Sequence, residues 1–168
     1  MKLRESLQLP LSASAAAAMY ADPAYPPIRQ QVLEATSADA TVQGDPAGAF
    51  TVTTELAMPT DRVPDMARPF IGSSLTVREV QTWSAPGADG ARTGSMELTV
   101  VGTPAGVTAQ LRMSPQGQSA CTVEIDGDLT AKVPLVGSRL EKAALPYVSK
   151  VLRAEERAAG RYREQQPG

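Results

Sequence analysis

Two carboxylates stand where strand alternation turns them toward an apolar interior. Glu79 shares its parity with Leu75, Val77, Gln81 and Trp83, while Thr76, Arg78 and Thr82 fall on the other face. Glu5 likewise shares the parity of Leu3 and Leu7. A carboxyl group facing an apolar cavity has a raised pKa and can pass protons near neutral pH. The competing assignment is structural, with these side chains at wet strand ends or paired with Arg68, Arg78 or Arg92. Arg68 lies in a proline-punctuated stretch, where it could meet an anionic head group or form a surface ion pair. The chain has no histidine, so Ser–His and Cys–His pairs and His metal sites are excluded. Its one cysteine, Cys121, falls on the inward parity and reads as a core thiol; alone, it argues against structural zinc. No phosphate-binding loop or dinucleotide fingerprint occurs among the 13 glycines. Asp126-Gly127-Asp128 lacks the later acidic ligands of a calcium loop and reads as a strand bend. No catalytic residue, metal or cofactor is assigned.

Ligand-contacting residues are better marked. Met58, Met66, Met96 and Met113 carry thioethers that fill irregular apolar space, in a cavity or in a plain core. Taken with the inward parities, the candidate ligand-binding set is Met58, Met66, Phe70, Val77, Glu79, Trp83, Met96, Leu98, Leu111, Tyr147 and Val151.

The elements that must position this set are readable from periodicity. Leu3, Leu7 and Leu9 alternate as a first strand, and a helix over 15–20, capped by Ser12 or Ser14, ends before Asp22-Pro23. A second helix over 27–35 completes a lid-like insertion. Six strands follow, over 38–43, 49–58, 75–83, about 96–100, 107–113 and 121–133. The last keeps one parity through Cys121, Val123, Ile125, Leu129, Ala131 and Val133, which predicts a single strand bent at Gly127. The stretch 59–72, punctuated by Pro59, Pro64 and Pro69, is too apolar for a free linker and should cover one mouth of the sheet. From Ser138 to about Gln165, Leu140, Ala144, Tyr147, Val148, Val151, Ala154 or Glu155, Ala158 and Tyr162 form an apolar helical stripe. Ser138 with Glu141 makes a capping-box pattern, and Pro146 predicts a bend rather than a break.

Composition narrows the function. At 168 residues, one domain over 1–165 with a frayed tail at 166–168 is expected, burying roughly 70% of its unfolded surface. Aromatic residues are only 4% of the chain, so aliphatic side chains must do most of the packing. A net charge of −2 without a basic block argues against nucleic acid as a partner. No stretch approaches the ~20 apolar residues of a membrane span, so stable membrane insertion is not expected. A lone cysteine and an N-terminus without an export pattern predict a cytoplasmic location.

The order of strand, two short helices, six antiparallel strands and long helix resembles the START-like or SRPBCC superfamily. Within it, the chain is similar to an uncharacterised actinobacterial branch. The resemblance rests on Tyr20-Ala21-Asp22-Pro23, on Val63 through Phe70, on Val77 to Trp83, and above all on Gly127 through Gly137 leading into Leu140-Glu141. It implies an α+β helix-grip fold: a curved seven-stranded antiparallel sheet, two short helices after strand 1 and a long C-terminal helix packed across it. It also implies a cavity used for hydrophobic ligands, without fixing an activity. Three functions remain open. The leading one is binding of a hydrophobic small molecule such as a lipid, polyketide or isoprenoid-like metabolite. The second is a cyclase, dehydratase or hydrolase using Glu79 or Glu5. The third is an interaction module, for which a second copy of the chain is a candidate partner.

Overall fold

The computed structural model describes residues 1–167. Seven antiparallel strands form one sheet: β1 (Lys2–Leu9), β2 (Ser37–Gly44), β3 (Phe50–Met58), β4 (Leu75–Trp83), β5 (Arg92–Val100), β6 (Ala105–Pro115) and β7 (Cys121–Ala131). Their order across the sheet is β1-β7-β6-β5-β4-β3-β2. Helices α1 (Ala13–Tyr20) and α2 (Tyr25–Leu33) follow β1, and α3 (Gly137–Gln165) closes the chain. The helices cover one face of the sheet, and inward residues alternate strictly along β6, where Val107, Ala109, Leu111 and Met113 are buried.

β7 runs unbroken through Asp126-Gly127-Asp128, pairing with β1 on one side and β6 on the other. Gly127 permits that: a Cβ there would stand 2.1 Å from the Thr108 carbonyl oxygen and 2.6 Å from Ala109 Cα. The sheet can therefore curve tightly at this point without losing a strand.

Several boundaries differ from those read in the sequence. Ser12 caps α1, its hydroxyl accepting from the Ala15 N–H at 3.1 Å, so that helix starts two residues early. α2 begins at Tyr25 because Pro26 and Pro27 fit the first turn, where no N–H partner is needed. It ends where Glu34 adopts a left-handed conformation, φ 54°. α3 is not capped by Ser138; Val136 takes the cap position and makes no side-chain cap bond. The chain instead turns at Leu135, φ 70°, and the Gly137 N–H donates to the Val133 carbonyl at 2.9 Å. Glu141 is thereby freed from the capping box and accepts from the Ala131 N–H at 3.3 Å. α3 continues through Pro146 without a break.

The pair α1–α2 is not a lid. Ala16, Ala17, Met19 and Tyr20 are among the most buried residues of the molecule, and α2 packs along α3. The true cover is the stretch between β3 and β4, two short 3-10 turns over Thr60–Arg62 and Asp65–Phe70. Gly168, the end of the expected frayed tail, lies outside the described residues.

Candidate ligand-binding site

Between the sheet and the first half of α3 lies a cavity of about 460 Å³. That size falls within the ~300–1,000 Å³ common for small-molecule sites. Its wall is mostly aliphatic, with Glu34, Arg62, Glu141, Lys150 and Arg157 also bordering it. The sheet supplies Met58, Leu75, Val77, Leu98, Val100, Leu129 and Ala131 from one end of the strands. α3 supplies Leu140, Ala144, Val148, Val151 and Ala154 from its inner stripe. Val63, Ala67, Phe70 and Ile71 of the proline-punctuated cover and Tyr147 of α3 complete the lining, Phe70 and Tyr147 being exposed at its mouth. The prolines fit this role: they hold the backbone in tight turns that need few partner strands, so an apolar segment can span open space.

The floor of the cavity separates it from a buried polar network. Val32 and Leu33 of α2 and Val151 and Ala154 of α3 face the cavity on one side. On the other they border a gap too narrow for water, shared with Arg29 and Glu155. There Arg29 donates to both carboxylate oxygens of Glu79, at 3.0 and 3.3 Å. Gln81 donates to Glu79 at 3.0 Å, and the Trp83 indole N–H donates to Gln81 at 3.1 Å. Residues 79, 81 and 83 are successive inward positions of β4, so alternation alone lines up this relay. Burial works against the Arg29 charge; the Glu79 carboxylate outweighs it and holds the guanidinium firmly protonated. Glu155 is a second carboxylate in the same interior, and the Tyr20 hydroxyl donates to it. Burial pushes its pKa up to about 7, with Arg29 working against the rise and Glu79 adding to it.

Beyond the network the interior is filled. Tyr20 stacks on Trp83 with ring centres 5.8 Å apart, and Tyr25 meets Tyr20 and Tyr162 edge-on at 6.0 and 6.1 Å. Tyr162 donates to Asp22 at 2.7 Å. Arg92 closes the far end, donating to the carbonyls of Pro46, Gly48 and Ser84 in the two adjoining turns.

The sequence-predicted residues divide between these regions. Met58, Phe70, Val77, Leu98, Tyr147 and Val151 line the cavity. Trp83, Met96 and Leu111 do not; they belong to the filled core. Their inward parity is right, but parity selects a face and says nothing of position along the strand. Glu79 is held by Arg29 rather than by Arg68, Arg78 or Arg92, and it does not border the cavity. Met66, 39% exposed, lies outside the lining because its turn presents Ala67 and Phe70 inward instead. Glu5 pairs with Arg153 of α3 at 3.2 Å, and Arg68 with Asp65 at 3.2 Å. Neither expected carboxylate therefore reaches the open space. Tyr147 borders the mouth but is 44% exposed, not enclosed.

Arg29, Tyr20 and Glu155 were not selected from the sequence as a functional group. Glu155 carried a signal, since it falls on the apolar stripe of α3 beside Leu152 and Ala158, and a charge there requires a buried partner. Arg29 gave less, being one cation in a short helix. Among the described residues, no three His, Cys, Asp or Glu side chains come together as metal ligands would. No helix among them is long and apolar enough to cross a membrane.

A sheet gripping a long C-terminal helix across an apolar cavity is the helix-grip architecture of the START-like, or SRPBCC, proteins. The fold matches the Zhui aromatase/cyclase of Streptomyces sp. R1128 over 98% of this chain and 94% of that one, with a TM-score of 0.62 at 10% identity. Norcoclaurine synthase of Thalictrum flavum matches over 99% and 87%, with a TM-score of 0.53 at 12% identity. A START superfamily protein of Mycobacterium smegmatis matches over 96% and 98%, with a TM-score of 0.52 at 15% identity. At such identities the likeness is one of fold. No curated protein matches in sequence. Residues 4–162 match the family described as "Protein of unknown function (DUF2505)", and the chain belongs to it.

Proposed function

We propose that the protein binds a hydrophobic small molecule, of lipid, polyketide or isoprenoid-like kind, in the cavity under the first half of α3. The observation that carries this reading is the open volume of about 460 Å³ walled mostly by aliphatic side chains. In a chain that packs its other half tightly, an apolar space of that size forfeits dispersion contacts that a ligand would restore. The fold relatives support the reading in kind: one is an aromatase/cyclase and another carries the START name. The carboxylates Glu79 and Glu5 lie outside the cavity wall, which weighs against using either as its acid or base.

Native mass spectrometry of protein purified from its own host, followed by solvent extraction, tests the reading. The expected result is a co-purifying apolar molecule, released on denaturation. A protein that carries no such molecule and binds no apolar fluorescent probe overturns it.

A further inference from the structure

The charges around the cavity are unbalanced. Glu34, Arg62, Glu141, Lys150 and Arg157 border it. Arg62 forms an ion pair with Glu34 and holds that carboxyl below its usual pKa. Glu141 accepts from the Ala131 N–H at 3.3 Å and from the Met1 amino group at 3.1 Å. Lys150 and Arg157 have no ion-pair partner among the described residues. They lie seven positions apart, two turns along the edge of α3, with Ala154 between them on the cavity wall. Long basic side chains lay their stems along apolar surface and hold their heads at the water. Both residues are exposed and border the cavity, so charge and apolar wall meet along this edge of α3.

We infer that the ligand is an amphiphile with a carboxylate head, a fatty-acid-like molecule whose chain fills the cavity and whose head is held by Lys150 and Arg157. This rests on the hydrophobic-ligand reading above and narrows it to a charge class. A neutral ligand would leave both cations without a counter-charge, and a cationic one would be repelled. Glu34 and Glu141 are neutralised by Arg62 and by the Met1 amino group, so the two surplus cations set the sign of the head group; the carboxylate is its singly charged form, and a phosphate is an outcome of the test. The competing role for the two residues is purely as wall, in which their stems matter and their charges do not. Methionine keeps much of the stem and removes the charge, so it separates the two.

Fluorescence titration with dansyl-undecanoic acid and with its methyl ester isolates the head group. At low ionic strength the acid is expected to bind about tenfold more tightly than the ester, as charge-assisted contacts to two exposed cations allow. The protein carrying both Lys150→Met and Arg157→Met should bind acid and ester alike. Raising the salt should narrow the difference in the unaltered protein. Equal binding of acid and ester by the unaltered protein overturns the carboxylate assignment and leaves the hydrophobic-ligand reading standing. A difference that survives both methionine substitutions also overturns it. An alkyl phosphate that displaces the probe better than the matching fatty acid overturns the choice of head group. Binding of neither probe overturns the inference and the reading beneath it together.

Discussion

The two ends of the sheet–helix interface are built on the same strands and the same alternation, yet one is filled and the other is open. At the filled end stand Trp83, Phe50, Tyr20, Tyr25 and Tyr162, with Met96 and Met113 packed around them. At the open end the equivalent inward positions carry Val77, Leu98, Leu129 and Ala131, facing Ala144, Val148 and Val151 across the gap. The chain has one tryptophan, four tyrosines and two phenylalanines. Only Phe70 and Tyr147 stand at the open end, and both are at its mouth. Alternation decides which face a side chain takes, and side-chain volume decides whether that face closes. Arg29, Glu79 and Glu155 lie at the boundary, where buried charge and hydrogen bonding fix the position of the floor.

The largest expected effect comes from breaking the filled end. Trp83 is 1% exposed, stacks on Tyr20 and donates to Gln81. Trp83→Ala should cost about 3–5 kcal/mol, because it opens a large cavity and strands a buried acceptor. Leu98→Ala, on the same face one strand over, should cost less than about 2 kcal/mol, since one side of Leu98 already borders open space. Urea denaturation of both variants reads the difference. If Leu98→Ala costs as much as Trp83→Ala, the open end is packed in solution and the distinction between the ends collapses.

Much of this arrangement was legible in the residues. Seven strands, two short helices and the long terminal helix follow from period-2 and period-3.6 patterns, and the unbroken parity of Cys121 to Val133 predicts one strand across Gly127, which the structure has as Cys121–Ala131, two residues shorter. Ser138 and Glu141 fit a capping box, yet the chain enters α3 through a left-handed turn at Leu135 that has no compositional sign. The candidate site was half legible. Met58, Val77, Leu98 and Val151 line the cavity, but Trp83, Met96 and Leu111, chosen by the same parity, fill the other end. Nothing in a strand's alternation marks where along it the packing stops. The Arg29–Glu79 pair joins residues fifty positions apart in sequence, and only the packed helices bring them together.

A second prediction sharpens the boundary between the ends. Glu155 faces Tyr20, Arg29, Glu79 and its neighbour Glu156, and it adds to the burial that pushes Cys121 up to about 11. In the unfolded chain its carboxyl titrates near its ordinary value of 4.5, whereas burial raises it to about 7 in the folded protein. Below both values it is protonated in either state and stability does not depend on it. As pH rises from about 4.5 to about 7, the unfolded chain releases the proton that the folded one keeps. The unfolded state then binds fewer protons, so stability falls across this window and levels off above it. The full loss is about 3 kcal/mol for a shift of this size. Glu155→Gln should remove that slope and leave a protein more stable than the parent at pH 8, measured by urea midpoints from pH 4 to pH 8. An unaltered slope in the glutamine variant would mean that folding does not raise the Glu155 pKa and that Arg29 offsets the burial of both carboxylates.

The smallest expected effect is at the mouth of the open end, on Tyr147. Its place on the inner stripe of α3 predicts a ring against the cavity; the ring borders the cavity, but the residue is 44% exposed. Its hydroxyl therefore has water available, and Tyr147→Phe should leave stability unchanged within about 0.5 kcal/mol. Tyr147→Ala removes a ring packed on one side only, and should cost less than about 1 kcal/mol, far below the 3–5 kcal/mol of an enclosed aromatic. The comparison with Trp83 then spans the two ends with one kind of truncation. A ring that covers the mouth also contributes apolar contact to whatever occupies the cavity. Tyr147→Ala should therefore weaken binding of an apolar fluorescent probe several-fold while barely moving the denaturation midpoint, whereas Trp83→Ala should do the reverse. Should Tyr147→Ala instead destabilise as strongly as Trp83→Ala, the mouth is closed over the ring in solution, and the open end owes its shape to a cover that Tyr147 holds down.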